Sequence, residues 1–318
     1  MFYSAYNYHV HIYIAGINGM VGSAIARESA ARSFQISGKS SKDLDLKDRD
    51  QVFQELHDRK PDFLVIAAAR VGGIWANESK PVEFLSENLQ IQTNLIDAAH
   101  AAKVKKVLFL GSSCIYPKFA PQPIQESSIL SGPLEETNEA YAIAKIAGVK
   151  LIQAYRKQYG HHWISAMPTN LYGPQDNFDL QSAHVLPALI HRFHKAKSDN
   201  LAEIEIWGDG TPLREFLHVN DLALACFTLL EKYDNEIAIN IGSGIEITIK
   251  ELSVLVARIV GYDGKVGFNS DYPNGTPRKL LSSTRINEIG WKPSISLEDG
   301  IRSTYEWFLS EYPERFEQ

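Results

Sequence analysis

At 318 residues, with 44% hydrophobic and 22% charged residues, the chain can bury one large or two medium cores and has the composition of a globular protein. A formal charge of −6, with no long run of Lys or Arg, excludes a nucleic-acid footprint and a polybasic tail. Cys114 and Cys226 are the only cysteines, which excludes a disulfide framework or zinc spacing and suits a reducing cytoplasm; no apolar run approaches the length of a membrane span.

Residues 1–9 are rich in Tyr and lack a basic lead, so they read as an extension or an extra pairing before the first strand, not as a signal peptide. The apolar run 10–15 reads as that strand and 20–32 as a helix. A second strand-like run, 34–37, leads into polar 38–50; the stretch 52–57 then precedes an apolar run at 63–68. Leu89, Ile91, Leu95, Ile96 and Ala99 give 87–102 helical spacing. A strand at 106–110, a long helix at 141–159 and a strand at 163–167 follow. Such alternation predicts an α/β fold, a doubly wound parallel sheet covered on both faces. After Pro168, Pro and Gly punctuate 172–174 and 207–212, between and beyond helices at 185–195, 249–260 and 297–309 and strands at 204–207 and 237–241. The expected division is a nucleotide-binding domain over 9–170 plus 215–242 and a smaller, discontinuous substrate domain over 171–214 plus 243–318.

The first turn, Ala15-Gly16-Ile17-Asn18-Gly19-Met20-Val21-Gly22, lets backbone approach a pyrophosphate at a helix N-terminus. About 120 residues later stands Tyr141-Ala142-Ile143-Ala144-Lys145. Four residues apart is one helix face, and an ammonium beside a phenol is expected to lower the tyrosine pKa. Between them Gly111-Ser112-Ser113-Cys114 lies at the carboxyl end of a strand, where open parallel sheets place their sites. Ser112 there can hydrogen-bond a carbonyl that Tyr141 protonates, and Cys114 is a thiolate-base candidate. The second strand ends in Ser37-Gly38-Lys39-Ser40-Ser41-Lys42, with lysines and no carboxylate for a ribose 2′-hydroxyl; that pattern favours the 2′-phosphate of NADP over NAD.

In this order these motifs resemble the extended short-chain dehydrogenase/reductase family, with its Rossmann-type sheet. Val71-Gly72-Gly73-Ile74, 111–117, 141–148, 168–174, 184–187 and Arg214-Glu215-Phe216-Leu217-His218 narrow the likeness to the GDP-L-fucose synthase family, over about 11–309. The resemblance implies that Ser112, Tyr141 and Lys145 form the reductase set, with Cys114 and His184 as epimerisation base and acid. It implies an NADP(H) site from residues 16–22, Ser40, Ser41, Lys42, Asp45, Leu46, Ala68, Leu110, Lys145, Pro168, Thr169, Asn170, Leu171 and His184. Asn18 stands where some members carry an arginine for the phosphate. The substrate side would draw on Val71, Ser112, Ser113, Asn170, Arg192, Trp207, Arg214 and Lys265, the last where relatives can carry Arg.

The implied reaction is 3,5-epimerisation and NADPH-dependent 4-reduction of GDP-4-dehydro-6-deoxy-D-mannose to GDP-L-fucose, in a homodimer joined through 87–102 and 141–159. A 5-epimerase/4-reductase making GDP-L-colitose, or another NADP-dependent nucleotide-sugar ketoreductase, is the alternative. A dehydratase would need an acidic pair near the serine, where this chain has Ser113-Cys114. No metal site is expected.

Overall fold

The computed structural model describes residues 10–32, 34–272 and 274–312, so the reading of 1–9 as an added pairing lies outside the described residues. Six parallel strands form the main sheet: β1 (His11–Ala15), β2 (Gln35–Ser37), β3 (Phe63–Ile66), β4 (Lys106–Leu110), β5 (Ile164–Pro168) and, after three strands outside it, β9 (Ile239–Ile241). Their order is β2-β1-β3-β4-β5-β9, and every neighbouring pair is parallel.

The strands are apolar on both faces because both are covered, as a parallel sheet requires. Ile12 and Ile14 of β1 join a core with Ala24 and Ile25 of α1 (Met20–Ala31) and Leu222, Cys226 and Leu229 of α7 (Val219–Lys232). Tyr13 and Ala15 point the other way. They meet Val52 and Leu56 of α2 (Arg49–Arg59), Leu95 and Ala99 of α4 (Pro81–Ala101) and Ile146 and Val149 of α5 (Glu139–Tyr159). Each such fully buried Leu or Ile contributes about 1.5–3 kcal/mol. α4 begins six residues before the expected start of its helix, with Pro81 in its first turn, where a missing N–H costs nothing. It is preceded by α3 (Ile74–Ser79). α5 ends at Gly160, whose left-handed φ of 72° closes the last turn.

A third core gathers Tyr172, Phe178, Leu189, Phe193, Leu252, Val256 and Phe308. They come from β6 (Asn170–Tyr172), the loop that carries Phe178, α6 (Val185–Ser198), α8 (Ile249–Val260) and α10 (Leu297–Glu311). α8 starts in a capping box between Thr248 and Glu251. Beside these helices, β8 (Leu213–His218) pairs with β6, β10 (Glu246–Thr248) and β12 (Arg278–Lys279), while β7 (Glu203–Trp207) pairs with β11 (Lys265–Asn269). α9 (Thr284–Glu288) returns to the first core through Ile286.

Candidate active site

Strand order reverses at β1, flanked by β2 on one side and β3 on the other, so the crevice beyond its carboxyl end lies between diverging connections. The glycine-rich turn fills this crevice. Gly16 has φ +88°, and a Cβ there would stand 2.8 Å from the Ala68 amide nitrogen. Only glycine lets the turn lie against the end of β3. α1 opens at Gly19 with no side-chain cap and no acidic residue in its first turn, leaving its amides open to a diphosphate. Three further expected cofactor contacts lie at or just past neighbouring strand ends. Leu110 ends β4, Pro168 ends β5, and Asn170 is pinned by a hydrogen bond from its Nδ2 to the Glu215 carbonyl at 2.8 Å.

Past β2, a Cβ on Gly38 would stand 2.6 Å from the Ile14 carbonyl oxygen. The position that follows the strand is therefore closed to Asp and Glu on steric grounds as well as by sequence. The two lysines expected at the phosphate are not equivalent. Lys39 is drawn to the buried Glu55 at 2.7 Å, whereas Lys42 is exposed beside Ser40 and Ser41. Ser40 donates to Asp43 and accepts from the Lys42 amide. Asn94 reaches from α4 to the carbonyls of Leu46 and Lys47, holding the Asp45-Leu46 loop beside the crevice.

The carboxyl end of β4 carries the reactive groups. Ser112 has extended backbone, and its Oγ accepts from the Cys114 amide at 3.2 Å. Tyr141 and Lys145 lie one turn apart on α5, with the Lys145 Nζ 5.8 Å from the Tyr141 ring centroid and donating to the Leu110 carbonyl at 2.9 Å. The expected lowering of the Tyr141 pKa is overturned. Burial and then the Cys114 charge push the phenol up, and only its bond to Ser112 pulls down. Desolvation outweighs a lysine that points at a backbone carbonyl. Tyr141 is thus a protonated phenol at neutral pH, the state a proton donor requires.

Lys145 is 3% exposed, and burial brings its ammonium down to about 8. Its folded value lies below its unfolded one, so its charge destabilises the fold fully below about pH 8 and less as pH rises toward 10.5. Lys145→Met is therefore expected to raise the melting temperature at pH 7 while abolishing turnover. Differential scanning calorimetry at pH 7 and pH 9.5 checks this: a stability gain that does not shrink at the higher pH refutes the assignment.

His184 stands at the N-cap position of α6, exposed overall yet with protein packed around its ring; burial and then the Lys279 charge lower its pKa. The Gly73 amide donates to the Ser182 carbonyl at 2.9 Å, which seats the segment before α3 against the one leading to His184. Arg192 lies 5.1 Å from the Trp207 ring centroid, and Trp207 stacks on Tyr272 at 4.4 Å. Arg214, on β8, is desolvated and feels the charges of Cys114 and Glu135. Lys265 does not join this group. Its ammonium pairs with Glu203 at 2.9 Å, and in the β11–β7 register it stands opposite Glu203 while Asn269 stands opposite Trp207. Four residues of strand put it roughly 13 Å from the Trp207 end.

Three side chains here escaped the sequence reading. Tyr272 forms the second plate of the aromatic stack. Asn138 Nδ2 donates to Cys114 Sγ at 3.4 Å, and Lys279 Nζ donates to it at 3.7 Å. Lys279 sits on a two-residue strand, too short for any periodic signal.

The NAD dependent epimerase/dehydratase family model matches residues 12–242. The GDP-L-fucose synthase 1 of Arabidopsis thaliana is 54% identical over 94% of this chain and 93% of its own length. The GDP-L-fucose synthase of Escherichia coli K12 is 48% identical over 96% and 98%. A crystal structure of a GDP-L-fucose synthetase from Naegleria fowleri bound to NADP superposes with a TM-score of 0.89 at 26% identity, covering 96% of each chain.

Proposed function

The chain belongs to the GDP-L-fucose synthases of the NAD dependent epimerase/dehydratase family, and from that membership and the site we propose that it converts GDP-4-dehydro-6-deoxy-D-mannose to GDP-L-fucose. The observation that supports this reading is the grouping of Ser112, Cys114, Tyr141 and Lys145 past the carboxyl end of β4, with His184 linked to them through the Lys279 charge that also reaches Cys114.

The family cofactor, NADP(H), fits the crevice: the Gly16 turn leaves the close approach that a Cβ would fill, and the α1 amides are open to a diphosphate. Residues 16–22, Leu110, Lys145 and 168–171 would hold it, with Ser40, Ser41 and Lys42 at the 2′-phosphate. When bound it supplies the hydride. Everything else falls to the protein. Ser112 and Tyr141 donate to the C4 ketone oxygen, stabilising the enolate formed when a proton leaves C3 or C5. Cys114 takes that proton, and His184, replenished from solvent, returns one to the opposite face. Tyr141 finally gives its own proton to the C4 oxygen. Arg192, Trp207 and Arg214 grip the GDP portion. One ketone and one oxyanion site serve both reactions.

We read residues 9–170 with 215–242 as the cofactor domain and 171–214 with 243–318 as the substrate domain. The expected homodimer would use α4 and α5, whose outer faces expose Val82 and Ile143. Free Cys114 and Cys226 suit a reducing cytoplasm, and among the described residues no helix is long and apolar enough to cross a membrane.

The test is purified protein with GDP-4-dehydro-6-deoxy-D-mannose and each nicotinamide cofactor, with NMR of the product. GDP-L-fucose is expected, with kcat/KM higher for NADPH than for NADH. A product retaining the D-manno configuration at C3 and C5, or turnover only of a 3-deoxy sugar, removes the substrate assignment. Equal or better use of NADH removes the phosphate site.

A further inference from the structure

Cys114 carries more company than a buried small residue needs. Two N–H donors from separate parts of the chain converge on its sulfur, Asn138 Nδ2 at 3.4 Å from the N-cap of α5 and Lys279 Nζ at 3.7 Å from β12. Resting on the reading of Cys114 as the epimerisation base, we infer that Lys279, assisted by Asn138, holds Cys114 as a thiolate and is a positioning residue of the proton-abstraction step.

The fold aims Lys279 at this sulfur. β12 is locked in parallel register on β8, with Lys279 opposite Arg214. The backbone just beyond it is pinned by Leu280 N to Gln122 Oε1 at 2.9 Å and by Leu281 N to the buried Glu215 carboxylate at 3.1 Å. Alternation along a strand sends neighbours to opposite faces. Arg278 accordingly turns away and pairs with Glu246 at 2.8 Å, whereas Lys279 faces the cleft, and among the described residues no carboxylate forms a salt bridge with it. An ammonium not engaged by a carboxylate and directed at sulfur favours the anion, because charge-assisted hydrogen bonds are stronger than neutral ones.

Titratable and charged groups from the other elements also face this sulfur. Arg214 from β8 is coupled to Cys114 and to Glu135, the latter also paired with Lys118 at 3.1 Å. Tyr141 from α5 is a neutral phenol held up partly by the Cys114 charge. His184, at the start of α6, has its pKa lowered first by burial and then by the Lys279 charge. One lysine thus favours the thiolate at the cysteine and makes the protonated histidine a stronger acid.

Alkylation of the native protein by iodoacetamide, followed by mass spectrometry of the Cys114 peptide, reads the thiolate directly. Cys226 is fully buried and serves as an unreactive internal reference. Lys279→Met is expected to slow alkylation at pH 7 by about tenfold or more, with rates converging near pH 10, where any accessible thiol ionises. Lys279→Arg should retain most of the wild-type rate. An unchanged pH 7 rate in Lys279→Met, even with a raised KM, overturns the inference and makes Lys279 a substrate contact only.

Should Lys279→Met fail to bind NADPH and so prove misfolded, the wild-type profile decides. A rate nearly flat between pH 7 and 9 supports the clamp, and one rising about tenfold per unit there overturns it. Asn138→Ala is expected to give a smaller slowing. The underlying assignment is separated by solvent-deuterium exchange. Lys279-dependent alkylation with normal exchange in Cys114→Ser leaves the clamp standing and removes the base, whereas the reverse pattern removes the clamp alone.

Discussion

Tyr141→Phe is expected to bind NADPH normally and to lose ketone reduction by about 10²–10⁴-fold, the usual worth of a positioned general acid. The substitution removes one oxygen from a half-buried ring held in edge contact with Phe84, so the fold has little reason to change. The lost oxygen is the one bonded to Ser112, and it is kept protonated by burial. Its loss leaves Ser112 as the only hydroxyl of the pair at the ketone, so deuterium exchange at C3 and C5 should slow less than reduction does. Turnover near the wild-type rate would show that the proton reaches the C4 oxygen from elsewhere.

Much of this site was legible because its parts lie on long, regular elements. The glycine turn follows a strand apolar on both faces, and the Tyr141/Lys145 pair lies on a 21-residue helix whose other buried positions are apolar or small. Where burial hides periodicity, reading failed. α7 escaped notice, although nine of its 14 residues are buried, because its apolar residues run almost without interruption and give neither a helical nor a strand repeat. β8, β10 and β12 were missed for a different reason: β10 and β12 have only three and two residues, and the sheet they make with β8 comes from pairing between segments as distant as Leu213 and Arg278.

The same distinction explains the site residues. Cys114 and Ser112 share one local motif, but the lysine that meets the sulfur lies 165 positions away. Lys265 illustrates the reverse hazard. Its charge suited a diphosphate, and only the register of β11 on β7 shows it spent on Glu203 at the far end of the strand. Tyr141 shows the limit of pairwise electrostatics. Four-residue spacing did bring the ammonium near, yet desolvation of the phenol outweighs it.

Cys114→Ser isolates the other half of the chemistry. Serine keeps the size and a hydrogen-bonding atom within reach of Asn138 and Lys279, so packing and cofactor binding should be preserved. A hydroxyl, however, is far harder to ionise than a thiol, and even two donors cannot supply the missing basicity. Wash-in of deuterium at C3 and C5 should therefore fall by about 10²-fold or more. Ser112, Tyr141 and Lys145 remain in place, so ketone that has not been epimerised can still be reduced, giving a 6-deoxy sugar with C3 and C5 unaltered. His184→Asn should slow inversion without blocking abstraction, and one of the two centres can still invert if water replaces the lost donor there. Product stereochemistry and deuterium content read together distinguish these cases. Wild-type wash-in by Cys114→Ser would make the cysteine structural; full epimerisation by both variants would reduce the chain to a simple ketoreductase.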